Sequence, residues 1–449
     1  MNERPAEVTV TGAGLAGSEA AWQLAERGLS VLLVEMRPDT MSPAHKTGEF
    51  AELVCSNSLG ADVLTSPGGI LKRELRRCGS LILQCADEAR IPAGRALAVD
   101  RDIFSRSVTR RLESHPLIRI ERRVVEEIPP GPVILATGPL TADVLAEKIG
   151  GVIGEGFLYF FDAVSPVVTA ESIDMNLAFA GSRWGKGDDY INCPMSEREY
   201  YDFQEALSKA ERAPVHEFEK DGRYFEGCLP IEEIARRGRD TLRFGPLRPV
   251  GLEDPRTAKR PFAVVQLRQE NRAKTLYNLV GFQTNLRWPE QERVFRLIPA
   301  LHEAEFVRFG VMHRNLYVNA PRALDRYLRI RGREEVFLAG QIVGVEGYLE
   351  SAAMGLVAAL NLSALIKGRA FPEWPPETAI GALLNHLSEE PPHGRFQPMN
   401  VNLGLFPPLP EKIRKRTERC QRYAERAESA LTAVLSGIKD ESSGDRKFS

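Results

Sequence analysis

The stretch Val8-Thr9-Val10-Thr11-Gly12-Ala13-Gly14-Leu15-Ala16-Gly17 constrains this chain more than any other. A β-branched run, Val8 to Thr11, meets glycines spaced as GxGxxG. Ser18 to Arg27 then carries helical periodicity, and Val31 to Glu35 is again apolar. Strand, tight turn, helix and strand make a βαβ unit. Gly12 makes the turn, Gly14 admits a pyrophosphate against the backbone, and Gly17 lets helix and strand pack closely, while the helix N-terminus supplies positive dipole. Ala13, Leu15 and Ala16 complete the same loop and are counted with it as dinucleotide-binding. Glu35 ends the second strand and is placed to accept from ribose hydroxyls, as an acid about 20 residues beyond the glycines does in such folds.

A classical dehydrogenase would follow this unit with further compact βα repeats, and this chain does not. Residues 40–70 are rich in Ser, Pro, Thr and Gly and read as a long active-site loop. Helical patterns follow near 70–90 and 101–114. Ile134-Leu135-Ala136-Thr137-Gly138 and, much later, Val336-Phe337-Leu338-Ala339-Gly340-Gln341 are short apolar strands running into glycine, and between them the texture turns to charged segments, aromatics and short strands. These two signatures resemble the later motifs of the glutathione-reductase-like FAD fold, which makes FAD the expected dinucleotide and adds Gly138, Gly340 and Gln341 to its site. Gln341 stands where that superfamily usually has Asp, which marks a subfamily. At 449 residues the chain suits two or three domains of roughly 100–200 residues each. The expected class is α/β: a discontinuous FAD-binding Rossmann domain, 1–182 and 305–449, with a mixed α/β domain inserted at 183–304. Residues 371–410 are Pro-rich and expected to be irregular.

Composition narrows the function. With 43% hydrophobic and 27% charged residues the chain is globular, and 59 Lys+Arg against 61 Asp+Glu leaves a net charge of -2, so it does not coat nucleic acid by bulk charge. A local basic patch stays open: Lys412, Lys415, Arg419, Arg422 and Arg426 recur at helical spacing, placing five cations on one expected helix face that could meet tRNA phosphates or pair with the interleaved glutamates. No apolar run approaches the about 18 residues of a membrane span, and the first residues lack a secretory pattern, so a cytoplasmic protein is expected. The six cysteines show no CxxC pair and no Cys/His metal spacing, so no metal site is expected.

Several motifs carry a closer resemblance. Gln341-Ile342-Val343-Gly344-Val345-Glu346-Gly347-Tyr348-Leu349-Glu350-Ser351-Ala352 is similar to the FAD motif of two related bacterial tRNA-modifying flavoprotein families. Glu52-Leu53-Val54-Cys55-Ser56-Asn57-Ser58-Leu59, Asn192-Cys193-Pro194-Met195 and Glu226-Gly227-Cys228-Leu229-Pro230-Ile231-Glu232 resemble only one of them. That one is the TrmFO family of folate- and FAD-dependent tRNA (uracil-5-)-methyltransferases. The other, the GidA (MnmG) wobble-uridine family, usually has a long helical C-terminal domain and a Thr-Thr-Gly-Tyr late motif where this chain reads Val345-Glu346-Gly347-Tyr348, and it is kept as the alternative. A generic small-molecule flavin oxidoreductase, needing neither cysteine nor RNA, and a noncatalytic RNA-binding flavoprotein are the rivals from other classes.

The resemblance implies methylation of carbon 5 of uridine 54 in the tRNA T-loop. In that chemistry 5,10-methylenetetrahydrofolate supplies the carbon, reduced flavin takes it up, and NAD(P)H restores the reduced flavin. It also implies that Cys228 adds to carbon 6 of the uracil, as thiolates readily do, and that Cys55 works on the flavin side as base or transient partner of the methylene. Read from the residues alone, both lie in irregular, polar sequence, whereas Cys78, Cys85 and Cys420 suit small buried hydrophobes and Cys193 is also taken as structural. Tyr348 is expected near the isoalloxazine, stacking on flavin or folate or simply packed. Glu346 and Glu350 could serve flavin, folate or a helix cap. Arg183 and Lys186 could hold a phosphate or the folate tail, or lie in a solvated loop. No obligatory protein partner is expected.

Overall fold

The computed structural model describes residues 6–154, 156–213, 229–391 and 396–444. Its first layer is a five-stranded parallel sheet in the spatial order Val336–Leu338, Val133–Leu135, Val8–Thr11, Val31–Glu35, Ile118–Arg122. Val10, Leu33, Ile134 and Phe337 are fully buried, as expected of strands covered on both faces. The sheet therefore joins residues from both sides of the chain's long central excursion.

Helix Leu15–Ala25 packs on helix Tyr348–Ile366 through Gly355, and on its own strand turn through Gly17. A Cβ on Gly355 would stand 2.2 Å from the Ala16 carbonyl oxygen, and one on Gly17 would stand 1.7 Å from that of Gly12. Neither site has room for a side chain. Helix Tyr348–Ile366 is, among the described residues, the one helix long and apolar enough to cross a membrane, and it is buried in the protein core from Leu349 to Ala364.

Two antiparallel strands, Leu158–Ala163 and Met312–Tyr317, lead out of this domain and back, with Ala163 opposite Met312. Beyond them lies a six-stranded antiparallel sheet ordered Phe179–Ala180, Tyr190–Met195, Ala263–Gln269, Leu276–Leu279, Val167–Thr169, Phe306–Arg308. Helix Glu197–Lys209 covers it, opened by a capping box in which Ser196 and Glu199 satisfy each other's backbone N–H groups. Tyr200, Phe203, Leu207, Phe282 and Phe295 form its own core. The boundaries expected at 183 and 304 fall inside this sheet, because its first and last strands in chain order, Val167–Thr169 and Phe306–Arg308, which pair with each other, are too short to show alternation.

The Pro-rich stretch 371–410 is not irregular throughout. Ala379–Ser388 is a buried helix whose first N–H groups are taken by Thr378 and by the carboxylate of Glu74, which accepts from Ala379 at 2.7 Å and Ile380 at 3.0 Å. An acceptor 305 positions away in sequence is invisible to a local reading. The last helix runs Arg416–Gly444, so Lys412 and Lys415 precede it and the expected five-cation face of one helix is corrected to Arg419, Arg422 and Arg426. Pro407, Pro408 and Pro410 delay its start. Two of those three cations are engaged: Arg426 donates to the Pro407 and Pro408 carbonyls, and Arg422 pairs with Glu425 at 3.1 Å.

Candidate active site

A groove runs along the C-terminal ends of the parallel strands, the usual place for a ligand in such a sheet. Gly12, Gly14, Leu15, Ala16, Glu35 and Gly138 line it, and Gly340, Gln341 and Tyr348 close its other end. Ala13 and Gly17 sit behind this wall: Ala13 is buried and Gly17 abuts Gly12. Gly14 has no protein atom within 4 Å of where a Cβ would stand, so it presents bare backbone to the groove.

Glu35 is held firmly. Its carboxylate accepts from Ala13 N at 2.7 Å and from Arg37 Nε at 3.0 Å. Burial alone would raise this carboxyl, but the Arg37 charge and the hydrogen bonds from Arg37 and Ala13 hold it below the usual carboxylate range. Arg37, itself buried, also donates to the Thr47 and Glu49 carbonyls and to Glu52. Thus the loop after the second strand is tied through Arg37 to Glu35. These features fit FAD: a positive-φ glycine turn at Gly12, open backbone at Gly14, an ionised acid, and a second glycine turn at Gly340.

At its Tyr348 end the groove shares Val54, Pro139, Leu140, Gln341 and Tyr348 with a second cavity. Cys55 lines that cavity, and its thiol donates to the Ala163 carbonyl at 3.7 Å. The Tyr348 hydroxyl accepts from Cys55 N at 2.8 Å and Ser56 N at 3.1 Å. Burial pushes that hydroxyl upward, so it stays neutral. Tyr348 therefore pins the cysteine loop.

The loop is held equally from the inserted domain. Arg268 donates to Asn57 Oδ1 at 2.9 Å and Ser56 Oγ at 2.7 Å, while Asn57 Nδ2 donates to the Gln269 carbonyl at 2.9 Å. Arg101 donates to the Leu53 and Cys55 carbonyls and forks onto Glu270. Burial would raise Glu270, yet Arg101 and Arg308 hold it ionised. The charges of Arg101, Arg268 and Arg308 all reach Cys55, the half-buried, electropositive setting in which reactive cysteines are found.

Across the cavity Gln341 Nε2 donates to Glu346 at 2.7 Å, and Glu350 accepts from Val401 N at 3.0 Å. Lys72, almost fully buried, donates to the Ala61 carbonyl at 2.9 Å; burial pulls its ammonium down to about 8, against the opposing charges of Glu350 and Asp62. Arg37, Lys72, Arg101, Arg268, Glu270 and Arg308 were not singled out from sequence. The partners of Arg101, Arg268, Glu270 and Arg308 lie on distant segments, Arg101 and Glu270 being 169 positions apart, while Arg37 and Lys72 have nearer partners and are set apart by burial, which sequence does not print.

Cys228 lies outside the described residues; Leu229, which follows it, is buried. The other cysteines are packed thiols. Burial pushes Cys78 and Cys193 up to about 12 and raises Cys85, while Cys420 is 1% exposed. Arg183 is turned onto its own domain, donating to Gln266 and the Val250 carbonyl, and Lys186 is exposed; neither lines the groove or the cavity. Among the described residues no cluster of His, Cys, Asp and Glu could hold a metal ion.

Comparison with known proteins agrees with this geometry. The family described as glucose inhibited division protein A matches residues 7–370. A methylenetetrahydrofolate–tRNA-(uracil-5-)-methyltransferase TrmFO of Desulforudis audaxviator is 60% identical over 431 residues, covering 95% of this chain and 98% of that protein. The protein of the same name from Geobacter sulfurreducens is 56% identical, covering 96% and 99%. Among solved structures, Aquifex aeolicus GidA superposes with a TM-score of 0.70 at 16% identity, over 97% of this chain and 74% of that one.

Proposed function

The chain belongs to the glucose inhibited division protein A family, in its TrmFO branch, and from that premise we propose how its groove and cavity share the work of methylating uracil in tRNA. It is a folate-dependent tRNA (uracil-5-)-methyltransferase with an FAD-binding Rossmann fold. We place its target at uridine 54 of the T-loop, its reductant as NAD(P)H and its setting in the cytoplasm, without an obligatory protein partner.

FAD would be held by Gly12, Gly14 and Glu35 at its nucleotide half and by Gly340 and Gln341 toward the flavin; bound and reduced, it would supply the electron pair that turns a methylene carbon into a methyl. Tyr348 and Arg101 fix the Cys55 loop, so that the thiol faces the space where the one-carbon unit and the uracil meet. Cys228 adds to carbon 6 of the uracil, which makes carbon 5 nucleophilic toward the methylene. Cys55 then removes the carbon 5 proton as the bond between the methylene and its carrier nitrogen breaks, the nitrogen keeping that electron pair, which leaves an exocyclic methylene on the ring. The hydride that reduced FAD would supply makes this carbon the methyl, the carbon 5–carbon 6 double bond re-forms, and Cys228 leaves with the electron pair of its bond to carbon 6. The buried guanidiniums of Arg101, Arg268 and Arg308 favour whichever of these states is anionic.

The observation that carries this reading is the position of Cys55, on the cavity continuous with the dinucleotide groove and held there from both domains. The test supplies the holoenzyme with NADH, tRNA lacking the T-loop methyl and methylenetetrahydrofolate labelled in its one-carbon unit. Label is expected in the base at position 54. Label arriving from S-adenosylmethionine, or on another nucleotide, would overturn it.

A further inference from the structure

In the inserted domain an aromatic ladder runs from the core out to the surface. Phe282 and Phe295 are fully buried and meet edge to face. From Phe295 the series passes to Phe306, then to Phe309 at 5.6 Å with the rings 17° apart, then to Trp288 at 5.5 Å and 16°. The last two steps are parallel stacks, and the outermost ring, Trp288, is 58% exposed. Val307, 47% exposed, extends the apolar surface. A tryptophan serving only the core would be turned inward, where its area is worth most.

The residue after Phe309 lies against the wall of the Cys55 cavity. Gly310, next to Phe309, is clamped by the buried amide of Gln291, which accepts from its N–H at 2.7 Å and donates to its carbonyl at 2.8 Å. A Cβ on Gly310 would stand 2.6 Å from the carbonyl oxygen of Val164, a residue of the cavity wall, and 2.5 Å from Thr284. Thr284 donates to Glu232, and Ile231 N donates to Gln283, so the segment that follows Cys228 returns to this same point. Arg308 adds charge here. Its Nε and Nη2 are buried without a hydrogen bond among the described residues, Glu270 lying 3.7 Å from Nη2. Such unspent buried donors call for a partner.

We propose that the exposed face of Trp288, backed by Phe309, is the platform on which a nucleobase flanking the target uridine stacks. The inference rests on the reading of the chain as a tRNA uracil methyltransferase and adds where the RNA is gripped. Chemistry on a base in structured RNA requires that base to leave its stack. Its neighbour then loses a stacking face, which an aromatic side chain replaces without regard to sequence.

The test compares wild-type holoenzyme with Trp288→Ala and Trp288→Phe on unmethylated tRNA, and on T-arm RNA made abasic at the nucleotide on either side of the uridine. Trp288→Ala is expected to raise the KM and Kd for tRNA by roughly 5- to 100-fold, the range of one base–aromatic stack, with kcat and FAD content kept. Trp288→Phe should restore most of the affinity. One abasic RNA should bind wild type more weakly yet be indifferent to Trp288→Ala. Unchanged tRNA affinity in Trp288→Ala overturns the platform, as does an equal loss with both abasic RNAs in both proteins. A change of oligomeric state in Trp288→Ala also overturns it, since the ring would then face a second copy. Wild-type protein that transfers no label to tRNA overturns the underlying reading as well.

Discussion

The nucleotide end of the groove is built on one short stretch of chain, whereas the cavity beside Cys55 is made of side chains drawn from segments hundreds of positions apart. At that end Gly12, Gly14 and Glu35 lie within a single βαβ unit, and only the far end, at Gly340, Gln341 and Tyr348, comes from a distant segment. In the cavity, Tyr348 reaches Cys55 across 293 positions and Arg268 reaches Asn57 across 211. The contrast teaches where each kind of information is stored. A backbone cradle is written locally, and a reaction centre is written in the fold.

The sharpest break of this comparison is at Gly14. Gly14→Val has room in the protein, since no atom lies within 4 Å of the added Cβ, but its side chain enters the groove. The purified variant should fold with its urea midpoint nearly unchanged and lose its flavin absorbance, and with it all methylation. A folded variant that retains a full complement of FAD would mean the groove is not the cofactor site.

Tyr348→Phe cuts the cavity and leaves the groove. Two N–H groups, of Cys55 and Ser56, lose their acceptor, at a cost of about 1–3 kcal/mol for each that stays dry. A misplacement of the thiol by about 1 Å costs on the order of 10²-fold in rate. Methylation kcat should therefore fall by about 10- to 100-fold with FAD content kept, measured in single turnover with saturating tRNA. Loss of FAD without loss of rate per bound flavin would place Tyr348 with the groove instead.

The smallest effect is electrostatic. Lys72 has its folded-state value lowered by burial to about 8, with Glu350, Asp62, Arg76 and Arg90 as its charged neighbours. Below pH 8 it is charged in both folded and unfolded chains. Between 8 and its ordinary value the unfolded chain binds the extra proton, so stability rises with pH there, by at most about 3 kcal/mol. Urea midpoints at pH 7.5 and 9.5 should show that rise in wild type and a flatter profile in Lys72→Met. Equal slopes in the two proteins would remove Lys72 from the balance.

What was legible in the sequence follows the same division. Val8 to Glu35 and the strands at 133 and 336 were readable because continuous apolar runs and positive-φ glycines leave local marks. The strands at 167 and 306, the helix Ala379–Ser388 and its cap by Glu74 were not, because three-residue strands have no period and the cap is nonlocal. Cys55 was singled out by its irregular surroundings and by resemblance, but the buried guanidiniums around it, on Arg101, Arg268 and Arg308, leave no mark in any window of sequence. Tyr348 was expected near the isoalloxazine, stacked or simply packed; the role of its hydroxyl in anchoring the Cys55 loop was not legible.

The most direct measurement is methyl transfer by Cys55→Ala holoenzyme, with Cys85→Ala as its control. Both remove one thiol, but Cys85 is packed in a helix at 0% exposure while Cys55 lines the cavity. With labelled methylenetetrahydrofolate, NADH and unmethylated tRNA, Cys55→Ala should keep its FAD and lose transfer by about 10²-fold or more, the scale of a missing catalytic base. Cys85→Ala should transfer within a few-fold of wild type after losing about 1 kcal/mol of stability. Transfer undiminished in Cys55→Ala, with flavin bound, would contradict the assignment of the cavity as the reaction centre.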